Sequence, residues 1–230
     1  MVKLNLIVEG GVYPNHVSAE TASNVESLRQ SLHQFFQRLL RRDDIEITIF
    51  MGAGFRNAAK QFVEASSFLG LFVDSDLPPE KRYEWFDKLT NQAHPELSIT
   101  MPEEKMHDVF FMIQEMEAWF LKQPACLDRW AALEGYSRKD AELAISDHSL
   151  IKGKDIERIA KPSEKLALLM KRFFEKGTKA ARYGKLKQSP LLLDSLDVEA
   201  LLPLDAELQR FVSVIDEHFA RFPLHGSIIK

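Results

Sequence analysis

The chain has 230 residues, 45% hydrophobic and 28% charged, with 30 Lys+Arg against 34 Asp+Glu and a net charge of -4, a balance that excludes fibrous and disordered classes. Its one cysteine, Cys126, excludes intrachain disulfides, cysteine zinc sites and CxxC redox chemistry, and points to a reducing, cytoplasmic compartment. No apolar stretch approaches the roughly 20 residues needed to cross a bilayer, and the first residues lack a signal-peptide pattern, so no membrane association is expected.

Val2 to Val8 (VKLNLIV) is apolar and β-rich and ends at Glu9-Gly10-Gly11, so a first strand delivers a carboxylate to its C-terminal end. Ser23 and Glu26 read as a capping box for a helix carrying Leu28, Leu32, Phe35, Phe36, Leu39 and Leu40 at helical spacing. Ile45 to Phe50 alternates as a strand, followed by the turn Gly52-Ala53-Gly54 and a helix with Ala58, Ala59, Phe62 and Val63 on one face. Leu69 to Val73 is a continuous apolar run, as in a strand buried on both faces, and it runs into Asp74-Ser75-Asp76. Glu80 to Gln92 reads as a surface helix, Leu97 to Thr100 as a short edge strand, Val109 to Ile113 as a buried strand and Glu115 to Lys122 as a helix stopped before Pro124.

Beyond residue 124 the pattern is helical throughout, with a polar, loop-rich stretch from Ser137 to Lys161. One helix carries Leu166, Leu169, Met170, Phe173 and Phe174, and the last carries Leu208 to Phe222. The expected architecture is therefore α/β: a mostly parallel, Rossmann-like sheet over residues 1–123 and a helical extension over 124–230 packed beside it.

The charge is unevenly placed. Arg138 to Lys187 holds 14 Lys+Arg against 7 Asp+Glu, a local balance of +7 that leaves -11 for the rest of the chain. Such a segment attracts phosphates without regard to sequence, although a solvated helix face has the same composition. Within it Lys161, Lys171, Arg172, Lys179, Arg182, Tyr183 and Lys185 are candidates for a nucleic-acid surface. Arg56, beside a glycine turn at a helix start, is a further phosphate candidate or an ordinary surface arginine. The scattered histidines form no zinc motif, and no G-x-S-x-G is present.

Ligands of open α/β sheets bind beyond the carboxyl ends of the strands, where Glu9, Asp74 and Asp76 fall. Carboxylates on neighbouring strand ends suit a hard cation such as Mg²⁺ or Mn²⁺, which in a two-metal arrangement can drive phosphodiester cleavage. An apolar strand ending in Glu9-Gly10 and a later one ending in Asp74-Ser75-Asp76 resemble the Toprim arrangement of topoisomerases, primases and overcoming-lysogenization-defect nucleases. The phrases Val8-Glu9-Gly10-Gly11, Ser27-Leu28-Arg29-Gln30, Gly52-Ala53-Gly54-Phe55-Arg56, Val73-Asp74-Ser75-Asp76, Met116-Glu117-Ala118-Trp119-Phe120 and Lys161-Pro162 are similar to an uncharacterised bacterial domain family of the Toprim-like group. Its members are often encoded beside an AAA or SMC-like ATPase in phage-defence settings. Leu77-Pro78 follows the acids where many Toprim proteins place a glycine.

The resemblance implies Glu9 as metal ligand or general acid/base, and Asp74 and Asp76 as metal ligands. Glu117 either completes the metal set or caps the helix at whose start it lies. The expected function is a Mg²⁺- or Mn²⁺-dependent nuclease acting on DNA or RNA, with Glu9, Asp74 and Asp76 catalytic, as effector of an ATPase-coupled defence system. The alternative is a non-catalytic interaction subunit docked on the ATPase. A phosphatase-like enzyme with Asp74 as nucleophile ranks below both.

Overall fold

The computed structural model describes residues 2–11 and 17–221, so Phe222 and the ends of the two sequence-read regions lie outside the described residues. Four parallel strands, β1 (Val2–Val8), β2 (Ile45–Met51), β3 (Gly70–Asp74) and β4 (Val109–Met112), form one sheet in the order β2-β1-β3-β4. Parallel neighbours require crossovers, and α1 (Ala19–Leu40) and α2 (Phe55–Glu64) supply the first two. The pleat sends alternate side chains to opposite faces. Leu4, Leu6 and Val8 join the core shared with α1, whereas Ile7, Leu71 and Val73 join the one shared with Ala58, Ala59 and Phe62 of α2. Both faces are buried, which explains why β3 and β4 read as unbroken apolar runs.

The start of α1 differs from the capping box expected at Ser23 and Glu26. Ser18 caps the helix, its hydroxyl accepting from Thr21 N at 3.1 Å, while Glu26 lies two turns inside and pairs with Arg29 at 2.6 Å. Because a nearer cap satisfies the first amides, the helix begins five residues earlier. The segment expected as a surface helix winds instead as a 3-10 helix over Pro79–Leu89, burying Trp85 and Leu89.

The edge strand expected over Leu97 to Thr100 does not form; Pro95–Leu97 is a 3-10 turn, and a four-residue helix α3 (Glu103–Met106) follows. The free edge of β4 is instead met by side chains of the last helix. Glu207 Oε2 accepts from Phe111 N at 3.2 Å, and Arg210 donates to the carbonyls of Val109 and His107. Two charged side chains thereby satisfy the backbone groups a fifth strand would have taken.

After β4 come α4 (Glu117–Lys122) and α5 (Ala125–Glu134), then β5 (Ser137–Arg138), α6 (Pro162–Phe173), β6 (Phe174–Lys176), β7 (Lys179–Ala180), α7 (Lys185–Asp194), α8 (Val198–Leu201) and α9 (Ala206–Arg221). The C-terminal part is thus not helical throughout. Strands β5, β6 and β7 form a second, antiparallel sheet, and Phe174 opens β6 rather than continuing α6. Strands of two or three residues are too short to show a period, so this sheet has no sequence signature. The two parts share one core. The ring of Phe35 on α1 stacks on Trp119 at 4.9 Å, and Phe211 on α9 packs edge-on against Phe72 and Phe110, 5.0 Å from each. Arg38 of α1 also donates to the carbonyls of Leu193 and Leu196 at the end of α7. Among the described residues no helix is long and apolar enough to cross a membrane.

Candidate functional site

The chain leaves β1 for β2 on one side and continues from β3 to β4 on the other, so the strand order reverses between β1 and β3. A crevice opens at the carboxyl ends of such strands, where neighbouring connections diverge to opposite faces. Glu9 follows β1 directly and Asp74 ends β3, which places both acids at that point. Glu9 Oε2 accepts from Asp74 N at 3.1 Å, and Glu9 N donates to Phe72 O at 2.7 Å. Gly10 and Gly11, at φ 132° and 80°, turn the chain out of β1 through conformations that L side chains adopt only with strain.

Asp74 is buried with both carboxylate oxygens engaged. Its Oδ1 accepts from Met116 N at 2.9 Å and its Oδ2 from Lys185 Nζ at 2.7 Å. Glu117, the first residue of α4, is fully buried; its Oε1 accepts from Tyr183 Oη at 2.6 Å, and its Oε2 lies 3.6 Å from Lys185 Nζ with no hydrogen-bond partner. No side chain caps α4, so Glu117 is not the helix cap that was the other reading of its position. Tyr183 Oη also lies 2.8 Å from Ser189 Oγ. Lys185 therefore reaches one acid at the end of β3 and one at the start of α4. A cavity of about 210 Å³ adjoins them, with Glu9, Asp74 and Lys185 on its polar side and Leu28, Leu32, Met112 and Met116 on its apolar side.

Burial governs the protonation of this group. Removal from water, reinforced by neighbouring Asp74, raises the Glu9 carboxyl from an ordinary 4.5 to about 7. Burial also raises Asp74 and Glu117, against the pull of the Lys185 ammonium. For Lys185 burial acts downward, but Asp74 and Glu117 outweigh it and hold the amine above its ordinary range. Burial and then the Glu117 charge raise Tyr183, which stays a neutral donor.

Asp76 does not join them. β3 ends at Asp74, and Asp76 takes a left-handed φ of 52°, so the alternation that would put both aspartates on one side is broken. Its side chain is 65% exposed and pairs with Lys88 at 2.9 Å. Between the two, buried Ser75 ties the loop, accepting from Gln114 N at 2.8 Å and donating to Leu77 O at 2.7 Å. Among the described residues no group of three or more His, Cys, Asp or Glu side chains stands in a geometry that could hold a metal ion. As placed, Asp74 and Glu117 face an ammonium, with Glu9 beside them. Their oxygens are hard donors suited to a divalent cation, and the shielded Oε2 of Glu117, which makes no hydrogen bond, is the feature that fits one.

The basic candidates divide. Lys171 and Arg172 end α6, Lys179 lies on β7 and Arg182 follows it; all four are exposed, and the chain runs from them through Tyr183 to Lys185 inside the site. Lys161 is exposed and pairs with Glu164 at 2.9 Å. Arg56 is not presented to a ligand: its guanidinium donates to the carbonyls of Lys88 and Leu89 and caps the end of the 3-10 helix. Gly52 has a packing role, because a Cβ there would lie 2.4 Å from the Cβ of Ala58. Sequence reasoning missed Ser189, and also Glu115, whose Oε2 accepts from Ser163 N at 2.7 Å and ties the start of α6 to the loop after β4. Neither residue stands in a pattern that would have marked it. No protein-family model, curated protein or solved structure matches this chain.

Proposed function

We propose that the protein is a Toprim-like, Mg²⁺- or Mn²⁺-assisted phosphodiester hydrolase acting on DNA or RNA, with Glu9, Asp74 and Glu117 as its acidic group. The observation that carries this reading is the gathering of these carboxylates, from the ends of β1 and β3 and the segment after β4, at the sheet's switch point around one ammonium. Asp76, turned outward to Lys88, is left out of the metal-binding and catalytic set. A divalent cation would be held by Asp74 and Glu117 with Glu9 beside them, and would supply polarisation of a phosphoryl oxygen and an activated water.

Glu9, whose carboxyl burial raises to about 7 in the cation-free chain, is the group placed to take and return a proton. Tyr183 holds Oε1 of Glu117 by hydrogen bond and leaves the buried Oε2, 3.6 Å from Lys185 Nζ, without a hydrogen bond. Lys171, Arg172, Lys179 and Arg182, all exposed on the segment that leads in sequence to Tyr183 and Lys185, are the groups offered to a phosphate backbone. An AAA or SMC-like ATPase as partner comes from the family resemblance.

The test is calorimetric titration of Mn²⁺ into the whole protein and its Asp74→Asn, Glu117→Gln and Asp76→Asn variants, with cleavage of single-stranded and duplex substrates measured alongside. Loss of binding in the first two variants and its retention in the third is the expected result. Four identical titrations would remove the reading. One observation favours a non-catalytic interaction subunit instead: both oxygens of Asp74 are already taken, by Met116 N and Lys185, as in a purely structural acid. Absence of Mn²⁺ binding together with co-purification of an ATPase would select that alternative.

A further inference from the structure

Lys185 is the first residue of α7, where the helix dipole disfavours a cation. No acidic residue stands in that first turn and no side chain caps it. The lysine is held there by the acids across the cleft, 2.7 Å from Asp74 Oδ2 and 3.6 Å from Glu117 Oε2. Its side chain is 41% exposed, whereas those of Asp74 and Glu117 are 11% and 0% exposed, so a long stem runs from solvent to the shielded oxygens. The closer contact is with Asp74, and Glu117 Oε2 makes no hydrogen bond.

We propose that Lys185 is a displaceable counter-ion: it neutralises the Asp74–Glu117 pair in the absence of a divalent cation and swings toward the mouth of the cleft when one binds. The inference rests on the reading of these acids as a cation site. Two buried carboxylates held at one point need a compensating positive charge to stay ionised. An ammonium and a divalent cation cannot share the same oxygens, because their repulsion in a poorly hydrated site is strong. The four-carbon stem of lysine permits the exchange without unwinding α7. Displaced toward solvent, the ammonium can meet a phosphodiester oxygen.

Two measurements on the whole protein test this. In Mn²⁺ titrations Lys185→Met should bind about tenfold more tightly than wild type, since no ammonium has to leave, whereas Lys187→Met should bind as wild type does. In lysine methylation read by mass spectrometry, Lys185 of the wild-type protein should become more reactive when Mn²⁺ is added. This arm needs no variant, so it decides the matter if Lys185→Met fails to fold. Mn²⁺ binding that is unchanged or weaker in a folded Lys185→Met, or Lys185 labelling that does not rise on binding, overturns the counter-ion role and leaves the acidic site standing. No Mn²⁺ binding by either wild type or Lys185→Met overturns both, and makes the ion pair a permanent structural one.

Discussion

Gly52 is the position at which one added methyl should do the most damage beside the cleft. A Cβ built there would lie 2.4 Å from the Ala58 Cβ, 3.1 Å from the Ala58 Cα and 3.3 Å from the Val8 carbonyl oxygen. Carbon atoms in contact prefer about 3.5–4.0 Å, so the shortest approach is over about 1 Å too close. Neither neighbour can yield cheaply. Ala58 sits on α2 among fully buried Ala59 and Phe62, and Val8 O already accepts from Gly52 N at 2.9 Å. Relief requires moving α2 off the sheet, and overpacking of this kind costs about 3 kcal/mol.

Gly52→Ala should therefore lower the unfolding free energy by about 3 kcal/mol in urea denaturation followed by circular dichroism and analysed by linear extrapolation. Ala58→Gly alone should cost about 1 kcal/mol through helix propensity. The double variant should be more stable than the sum of the two by about 1–2 kcal/mol, because the clashing methyl is gone. Gly54→Ala is the contrast: nothing lies within 4 Å of its added Cβ, and only the φ of 96° is strained, for about 1 kcal/mol. A Gly52→Ala protein with an unchanged midpoint, or strict additivity with Ala58→Gly, would refute the close-approach argument.

The Glu9 carboxyl is raised from 4.5 to about 7, so between those values the folded chain binds a proton that the unfolded chain releases. Its contribution is fully present below pH 4.5 and is lost as pH rises through 7, by about 3 kcal/mol at most, and Glu9→Gln should flatten that part of the stability–pH curve. Glu207→Ala strips the acceptor from Phe111 N and leaves Arg82 and Arg210 without their shared carboxylate. It should cost about 3 kcal/mol in the same denaturation assay, and a loss under about 1 kcal/mol would contradict the capped-edge account of β4. Asp76→Asn removes only a surface pair with Lys88 and should change stability by less than about 1 kcal/mol. Cys126 is fully buried and its thiol is pushed up to about 12, so it should react with a disulfide reagent only at the rate of unfolding; fast labelling of the native protein would contradict its packing.

Local rules made the parallel sheet legible. β3 and β4 are continuous apolar runs, β2 alternates and β1 is rich in apolar residues, and the turn at Gly52 and the acids Glu9 and Asp74 mark carboxyl ends. Glu9 and Asp74 were readable for the same reason, since a strand fixes where its last residue lies. The reading failed where a local signal had a competitor or no period. Ser23 and Glu26 form a sound capping box, but Ser18 stands a turn earlier and takes the role. Asp74 and Asp76 stand two apart, which would put them on one side only if the strand continued, and the left-handed turn at Asp76 parts them.

By itself the sequence determined the alternation of strands and helices, the acids that close β1 and β3, and the segregation of positive charge after residue 137, because each depends on neighbours within a few residues. The tertiary structure alone decided which of these groups meet. Lys185 reaches Asp74 across 111 positions of chain, and Tyr183 reaches Glu117 across 66. Those contacts follow from the shared core that lays α7 against α1, and no periodicity or spacing encodes them. Arg56 shows the converse: its place beside a glycine turn marks it for phosphate, and only packing hands its guanidinium to the carbonyls of Lys88 and Leu89, since a buried helix end must find donors for its last carbonyls.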